Sequence, residues 1–163
     1  MSEFSVSIRQ MKPGEEERVC RLVHQVFNDF VAPLFEQEGV EEFFRYADPN
    51  LMAKRAQSNH LALIAEANGV LYGTIEMRNF NHISLLFVAR KRQRQGIGRQ
   101  LLMEALTIAR RYEPNLSEID VHSSPNAVDA YERLSFQTVG SKKLENGISF
   151  VPMRMRIHNS GNG

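Results

Sequence analysis

Several kinds of protein are excluded by what this chain has little of. A single cysteine, Cys20, in 163 residues cannot make an internal disulfide. Its position beside Val19 and Leu22 in an apolar-periodic stretch predicts a buried, inert thiol. Basic residues exceed acidic ones by one, 20 against 19, so a general nucleic-acid binder is disfavoured. No apolar run is long enough to cross a bilayer. The opening residues MSEFSVSIRQ lack the charged region, long apolar run and cleavage site of a signal peptide, so a cytoplasmic protein with no membrane or nucleic-acid partner is expected. No internal repeat, low-complexity tract or linker divides the chain. It is long enough to bury roughly two-thirds of its unfolded surface in one core, and residues 1–157 read as a single domain. The remaining HNSGNG, residues 158–163, has no apolar residue and is expected to be a flexible tail.

Hydrophobic periodicity orders the rest. FSVSIRQ alternates from Phe4 to Ile8 as a half-buried strand should, and KPGEEE then turns into a helix with Val19, Leu22, Val23, Val26, Phe27 and Phe30 on one face. Pro33 interrupts it, and two shorter helical pieces follow, over PLFEQEGVEEFFRYA and DPNLMAKRAQ. From His60, two strand-like runs meet across Asn68-Gly69, a dipeptide suited to a tight hairpin. NHISLLFV makes a third strand. GRQLLMEALTIARRY has Leu101, Leu102, Ala105, Leu106, Ala109 and Tyr112 at helical spacing until Pro114. SEIDVHSS is a strand and PNAVDAYERL a helix; FQTVG and ISFVPMRMRI then form a closing hairpin around Asn146-Gly147. The expected class is α/β (α+β): a mixed sheet covered by helices.

Between the third strand and the long helix stands RKRQRQGIGRQLL. A strand followed by a Gly-containing turn that opens a helix presents unpaired backbone N–H groups at the positive helix end, where an anion fits. Gly96 and Gly98 allow close backbone approach, and the neighbouring Arg90, Lys91, Arg92, Arg94 and Arg99 add positive charge. The Walker pattern fails because Arg99 and Gln100 follow Gly98. The dinucleotide pattern fails because its third glycine position is Leu101.

The segment has instead the form Q/R-x-x-G-x-G/A, with Gln93, Gly96 and Gly98 at the named positions, and resembles the pyrophosphate loop of the GNAT superfamily of N-acetyltransferases. NAVDAYERLSF is similar to a second signature of that family, with Asn126, Tyr131, Glu132, Arg133 and Phe136 in place and Ser135 where glycine is usual. The resemblance implies a mostly antiparallel acyl-CoA N-acyltransferase fold. It also implies an acetyl-CoA cosubstrate, no metal, and direct acetyl transfer to a primary amine of a small molecule or peptide. A non-catalytic acyl-CoA-binding module of the same fold is the rival reading. By the same resemblance, HISLLFV splays from its neighbour, so that Phe87 and Val88 offer backbone groups to the pantetheine arm. The pyrophosphate then lies on amides of Arg94, Gln95, Gly96, Ile97, Gly98 and Arg99.

Tyr131 is the implied donor to the departing thiolate. Two residues compete as the base that deprotonates the amine. Glu76 lies on the strand before the cofactor strand; His82 begins HISLLFV, and imidazole as a class titrates near neutral pH. His122 ends a strand lining the same cleft, where it is a candidate substrate contact, and Asp120, on the same strand face, is a candidate partner for it. The acceptor is expected to be read by residues from about Phe27 to Gln57 and by the loop after Ser123. His24, His60, His82, His122 and His158 are dispersed without metal-ligand spacing. Exposed sheet edges leave room for a homodimer.

Overall fold

The computed structural model describes residues 4–158, so most of the expected flexible tail lies outside the described residues. The architecture is mixed α/β, with a mostly antiparallel sheet between helices. The strands are β1 (Ser7–Gln10), β2 (His60–Ala67), β3 (Val70–Arg78), β4 (His82–Val88), β5 (Glu118–Ser123), β6 (Gln137–Thr138), β7 (Lys143–Glu145) and β8 (Ile148–Arg156). They run β1-β2-β3-β4-β5-β8-β6, with β7 paired to β8. Among the described residues only β4 and β5 are parallel neighbours.

Two apolar layers hold the sheet. On one face α4 (Ile97–Tyr112) buries Leu101, Leu102, Ala105, Leu106 and Ala109 against Leu63, Ile75, Met77 and Ile83. Each fully buried leucine contributes roughly 1.5–3 kcal/mol. On the other face are α1 (Glu16–Phe30), α2 (Gln37–Tyr46) and α3 (Pro49–Arg55). There Val19, Cys20 and Val23 pack on Met52, Ile64 and Leu85. Burial pushes the Cys20 thiol up to about 11, which keeps it protonated and unreactive at neutral pH.

One irregularity in β4 decides which face each of its side chains reaches. Met77 pairs with Ile83 but Glu76 pairs with Leu85, so Ser84 is an extra residue in the ladder. Such a bulge breaks the two-residue alternation. Ile83 joins the α4-side core, while Leu85, two positions on, joins the α1-side core with Phe87. β4 pairs with β5 only at His82↔Asp120 and Ile83↔Val121. Beyond those pairs the two strands part, as the sequence resemblance implied.

Several local expectations change. The first strand is Ser7–Gln10 rather than Phe4–Ile8, because pairing with β2 begins at Ser7↔Glu66. Phe4 instead stands edge-on to Tyr72 with ring centroids 5.0 Å apart. PNAVDAYERL is a 3-10 turn, Pro125–Ala127, followed by α5 (Val128–Arg133). The Asn146-Gly147 turn joins β8 to β7, a strand the sequence did not reveal, while Gln137–Thr138 pairs farther along β8. The exposed run KLE has no alternation to mark it as a strand. Tyr112 is 61% exposed despite its helical spacing, and its ring stacks on Phe80 at 4.7 Å between centroids.

Candidate active site

The parting of β4 from β5 opens a cavity of about 980 Å³. One end is built by the start of α4. Gly96 is the residue before its first turn, at φ 85°, and no side chain caps the helix or places an acid in its first turn. The first amides are therefore available to an anion. A Cβ on Gly96 would meet nothing within 4 Å, and one on Gly98 would meet only Val88 Cγ2, at 3.9 Å. Both glycines border the cavity with open space above them, the shape a phosphate cradle requires.

Gln93, Arg94, Gly96, Ile97, Gly98, Arg99 and Asn126 line this end, and Phe87 and Val88 line the passage from it. Gln95 is not among the lining residues; its side-chain amide donates to the Lys91 carbonyl at 3.4 Å. The side-chain amide of Gln93 donates to the Val88 carbonyl at 3.1 Å. Arg99 is tied to the end of α5, donating to the Arg133 carbonyl at 2.6 Å. Arg92 lies 3.6 Å over the Phe4 ring. The arginines thus brace the loop while leaving the region positive.

Tyr131, on α5, borders the same cavity and is 8% exposed. Its ring stands edge-on to Phe136 at 5.4 Å. Burial raises its phenol well above the usual tyrosine range, so it remains a proton-carrying donor at neutral pH. The other end of the cavity is lined by His82, His122 and Phe150 with α1 and α2. His82 Nδ1 contacts Asp120 Oδ1. Asp120 therefore pairs across the β4–β5 ladder with His82, not along its own strand with His122. A carboxylate only accepts, so Nδ1 is the donor to Asp120, and this leaves Nε2 as the uncommitted nitrogen of a ring that borders the cavity. His122 is edge-on to His82 at 4.9 Å and stacks on Phe150 at 4.3 Å. Burial, and then the neighbouring His82, lower its basicity.

Glu76 lies elsewhere. It is 2% exposed, does not line the cavity, and accepts hydrogen bonds from Arg55 Nε at 3.1 and 3.3 Å and from Tyr46 Oη at 2.8 Å. Tyr46 does border the cavity, and burial together with the Glu76 charge pushes its phenol up to about 12. Glu76 therefore anchors a cavity wall.

From the segment that begins at Phe27, residues of α1 and α2 line the cavity. The sequence placed the turn at Asn146-Gly147 but took FQTVG as its first arm; the arm is β7, and the β7–β8 hairpin adds Glu145, Asn146, Ile148, Ser149 and Phe150 to the cavity lining. The hairpin is clasped to α2: Glu36 N–H donates to the Gly147 carbonyl at 3.0 Å. A Cβ on Gly39 would stand 2.2 Å from that same oxygen, so only glycine allows this approach. Among the described residues no three His, Cys, Asp or Glu side chains gather as a metal site would need, and no helix is long and apolar enough to cross a membrane.

Residues 31–157 match the acetyltransferase (GNAT) domain family. Among solved structures, the chain is similar to a GCN5-related N-acetyltransferase from Rhodopseudomonas palustris, with TM-score 0.78 and 19% identity over 96% of this chain and 99% of that one. The PaiA N-acetyltransferase from Thermoplasma acidophilum, solved with coenzyme A, gives TM-score 0.77 and 18% identity over 94% and 100%. An aminoglycoside 6′-N-acetyltransferase, also complexed with coenzyme A, gives 0.70 and 12% over 96% and 99%.

Proposed function

The chain belongs to the GNAT acetyltransferase domain family, and from that premise we propose that it is an acetyl-CoA-dependent N-acetyltransferase acting on a primary amine. We take residues 1–157 to be its one domain. The observation that carries this reading is the uncapped start of α4 at Gly96, opening into the same cavity as Tyr131 and His82. The open space above Gly96 and Gly98 and the surrounding arginines fit a pyrophosphate. Two of the similar structures hold coenzyme A.

When bound, acetyl-CoA supplies the activated thioester whose acetyl carbon passes from sulfur to nitrogen. The chain's own residues have three tasks. The amides from Arg94 to Arg99 hold the anionic end, and Phe87 and Val88 direct the arm along the opening between β4 and β5. His82 Nε2 accepts the amine proton, with Asp120 fixing the tautomer and stabilising the imidazolium that forms. Tyr131 Oη gives its proton to the leaving sulfur. An acceptor that arrives as an ammonium loses two protons, one released to solvent by way of His82 and one matched by the proton that sulfur gains, and the transfer needs no covalent intermediate on the enzyme. Glu76 is less suited to act as base, since its carboxylate already serves Arg55 and Tyr46. His122, whose basicity burial lowers, is taken as a contact for the acceptor.

Tyr131→Phe removes only the hydroxyl. It is expected to leave coenzyme A affinity within about twofold and to lower kcat by about 10- to 100-fold, since a thiolate leaves tolerably without help. Calorimetry with coenzyme A and thiol release in the presence of an amine measure the two effects. An unchanged kcat removes Tyr131 as the acid.

The rival reading, a non-catalytic acyl-CoA-binding module, predicts tight coenzyme A binding and no thiol release with any amine. The His82–Asp120 pair argues against it, because binding alone gives no reason to orient an imidazole at the cavity wall.

A further inference from the structure

The acceptor end of the cavity is more aromatic than acetyl transfer requires. Phe27 and Phe43 stack with centroids 3.8 Å apart and planes 8° from parallel, and Phe43 stands edge-on to Phe87 at 5.9 Å. Phe150 stacks on His122, which touches His82. One bank of rings thus reaches the strand that carries His82, and the other reaches His82 itself.

Of the charged residues that line the cavity, Arg92, Arg94 and Arg99 belong to the loop and the start of α4 and Asp129 and Arg133 to α5, which leaves Glu42, Glu145 and Arg78 for this end. Glu42 borders it but is committed to Arg45. Glu145, on the hairpin, borders it and forms no ion pair among the described residues, and it lies close enough to His122 to act on its charge. Arg78 adds a cation to the same lining. A polyamine needs carboxylates at intervals along its length, and Arg78 would repel its second ammonium. A single ammonium on an apolar body meets Glu145, with Asp120 behind His82, and two aromatic banks.

Resting on the acetyltransferase reading, we propose that the acceptor is a small primary monoamine with a flat apolar body, the body held between Phe43 and Phe150 and the ammonium led past Glu145 to His82. The β7–β8 hairpin is then the specificity element.

The test uses the full chain with phenylethylamine, spermidine and a short lysine-containing peptide. Turnover of each is measured at saturating acetyl-CoA, and binding of each to the coenzyme A complex is measured by calorimetry. Phenylethylamine is expected to lead in kcat/KM and in affinity by about tenfold or more. Phe43→Ala should reduce that lead by about tenfold, chiefly through KM, and Phe43→Leu should restore most of it. Glu145→Gln should raise the KM for phenylethylamine about threefold. Spermidine or the peptide matching phenylethylamine overturns the inference and leaves the acetyltransferase reading intact. If no amine turns over, that reading falls, and the calorimetric ranking still decides the pocket's preference.

Discussion

Gly98→Glu is expected to leave the protein folded, raise its Tm by about 2–4 °C, and weaken coenzyme A by at least about 100-fold. The two effects have separate causes. Gly98 is in the first turn of a 16-residue helix and does not have a positive φ. Replacing glycine there with a helix-forming residue gains about 0.5–1 kcal/mol, and an acid near the helix start adds a few tenths more. A gain of about 1 kcal/mol raises Tm by a few degrees in a chain of this size. The new Cβ has room, with Val88 Cγ2 nearest at 3.9 Å, so folding is not obstructed. The carboxylate, however, competes for the α4 amides and repels a pyrophosphate. Charge-assisted hydrogen bonds contribute about 1.5–3 kcal/mol each, and losing two gives the stated loss of affinity. Calorimetry and thermal melting measure both. A stable variant with unchanged coenzyme A affinity removes the phosphate cradle from α4.

This prediction separates what the sequence made legible from what it hid. The loop around Gly96 and Gly98 could be read because its chemistry belongs to contiguous backbone, and the helix it opens announces itself by spacing. The α1 and α4 faces were legible for the same reason: Val19, Val23, Leu101 and Ala105 recur at helical intervals. The bulge at Ser84 was not, because a register shift depends on how β3 and β4 pair and leaves no local pattern. Without it, side chains later on β4 are assigned to the wrong face. The His82–Asp120 pair was missed similarly. Two residues on one strand suggested a partner for His122, whereas the contact forms across a short parallel ladder between distant segments. Glu76 was a candidate base because it lies on the strand before the cofactor strand. Its commitment to Arg55 and Tyr46 depends on α2 and α3 folding over β3, which periodicity does not encode.

The choice between the two bases gives the second large effect. His82→Gln keeps a polar side chain of similar size but supplies no group that can accept a full proton at neutral pH. A positioned general base is worth about 10²- to 10⁴-fold, and kcat is expected to fall within that range. Coenzyme A affinity should hold. Asp120→Asn should cost less, about tenfold, because the imidazole remains and only its orientation and charge stabilisation are lost. Stopped-time assays of thiol release across pH provide the comparison. If His82→Gln stays within about threefold of the parent chain, proton removal belongs to water or to a path through Tyr46 and Glu76.

Whether the chain transfers acetyl groups at all is decided most directly by following free coenzyme A thiol and acetylated amine together, in one reaction containing acetyl-CoA and an excess of primary amine. Acetyl transfer requires the thiol to appear in step with the acetylated amine, one for one, at a rate that rises with amine concentration and vanishes in Gly98→Glu. Coenzyme A bound to the intact chain, with no thiol released above the amine-free rate across a broad amine panel, would make it a binding module instead.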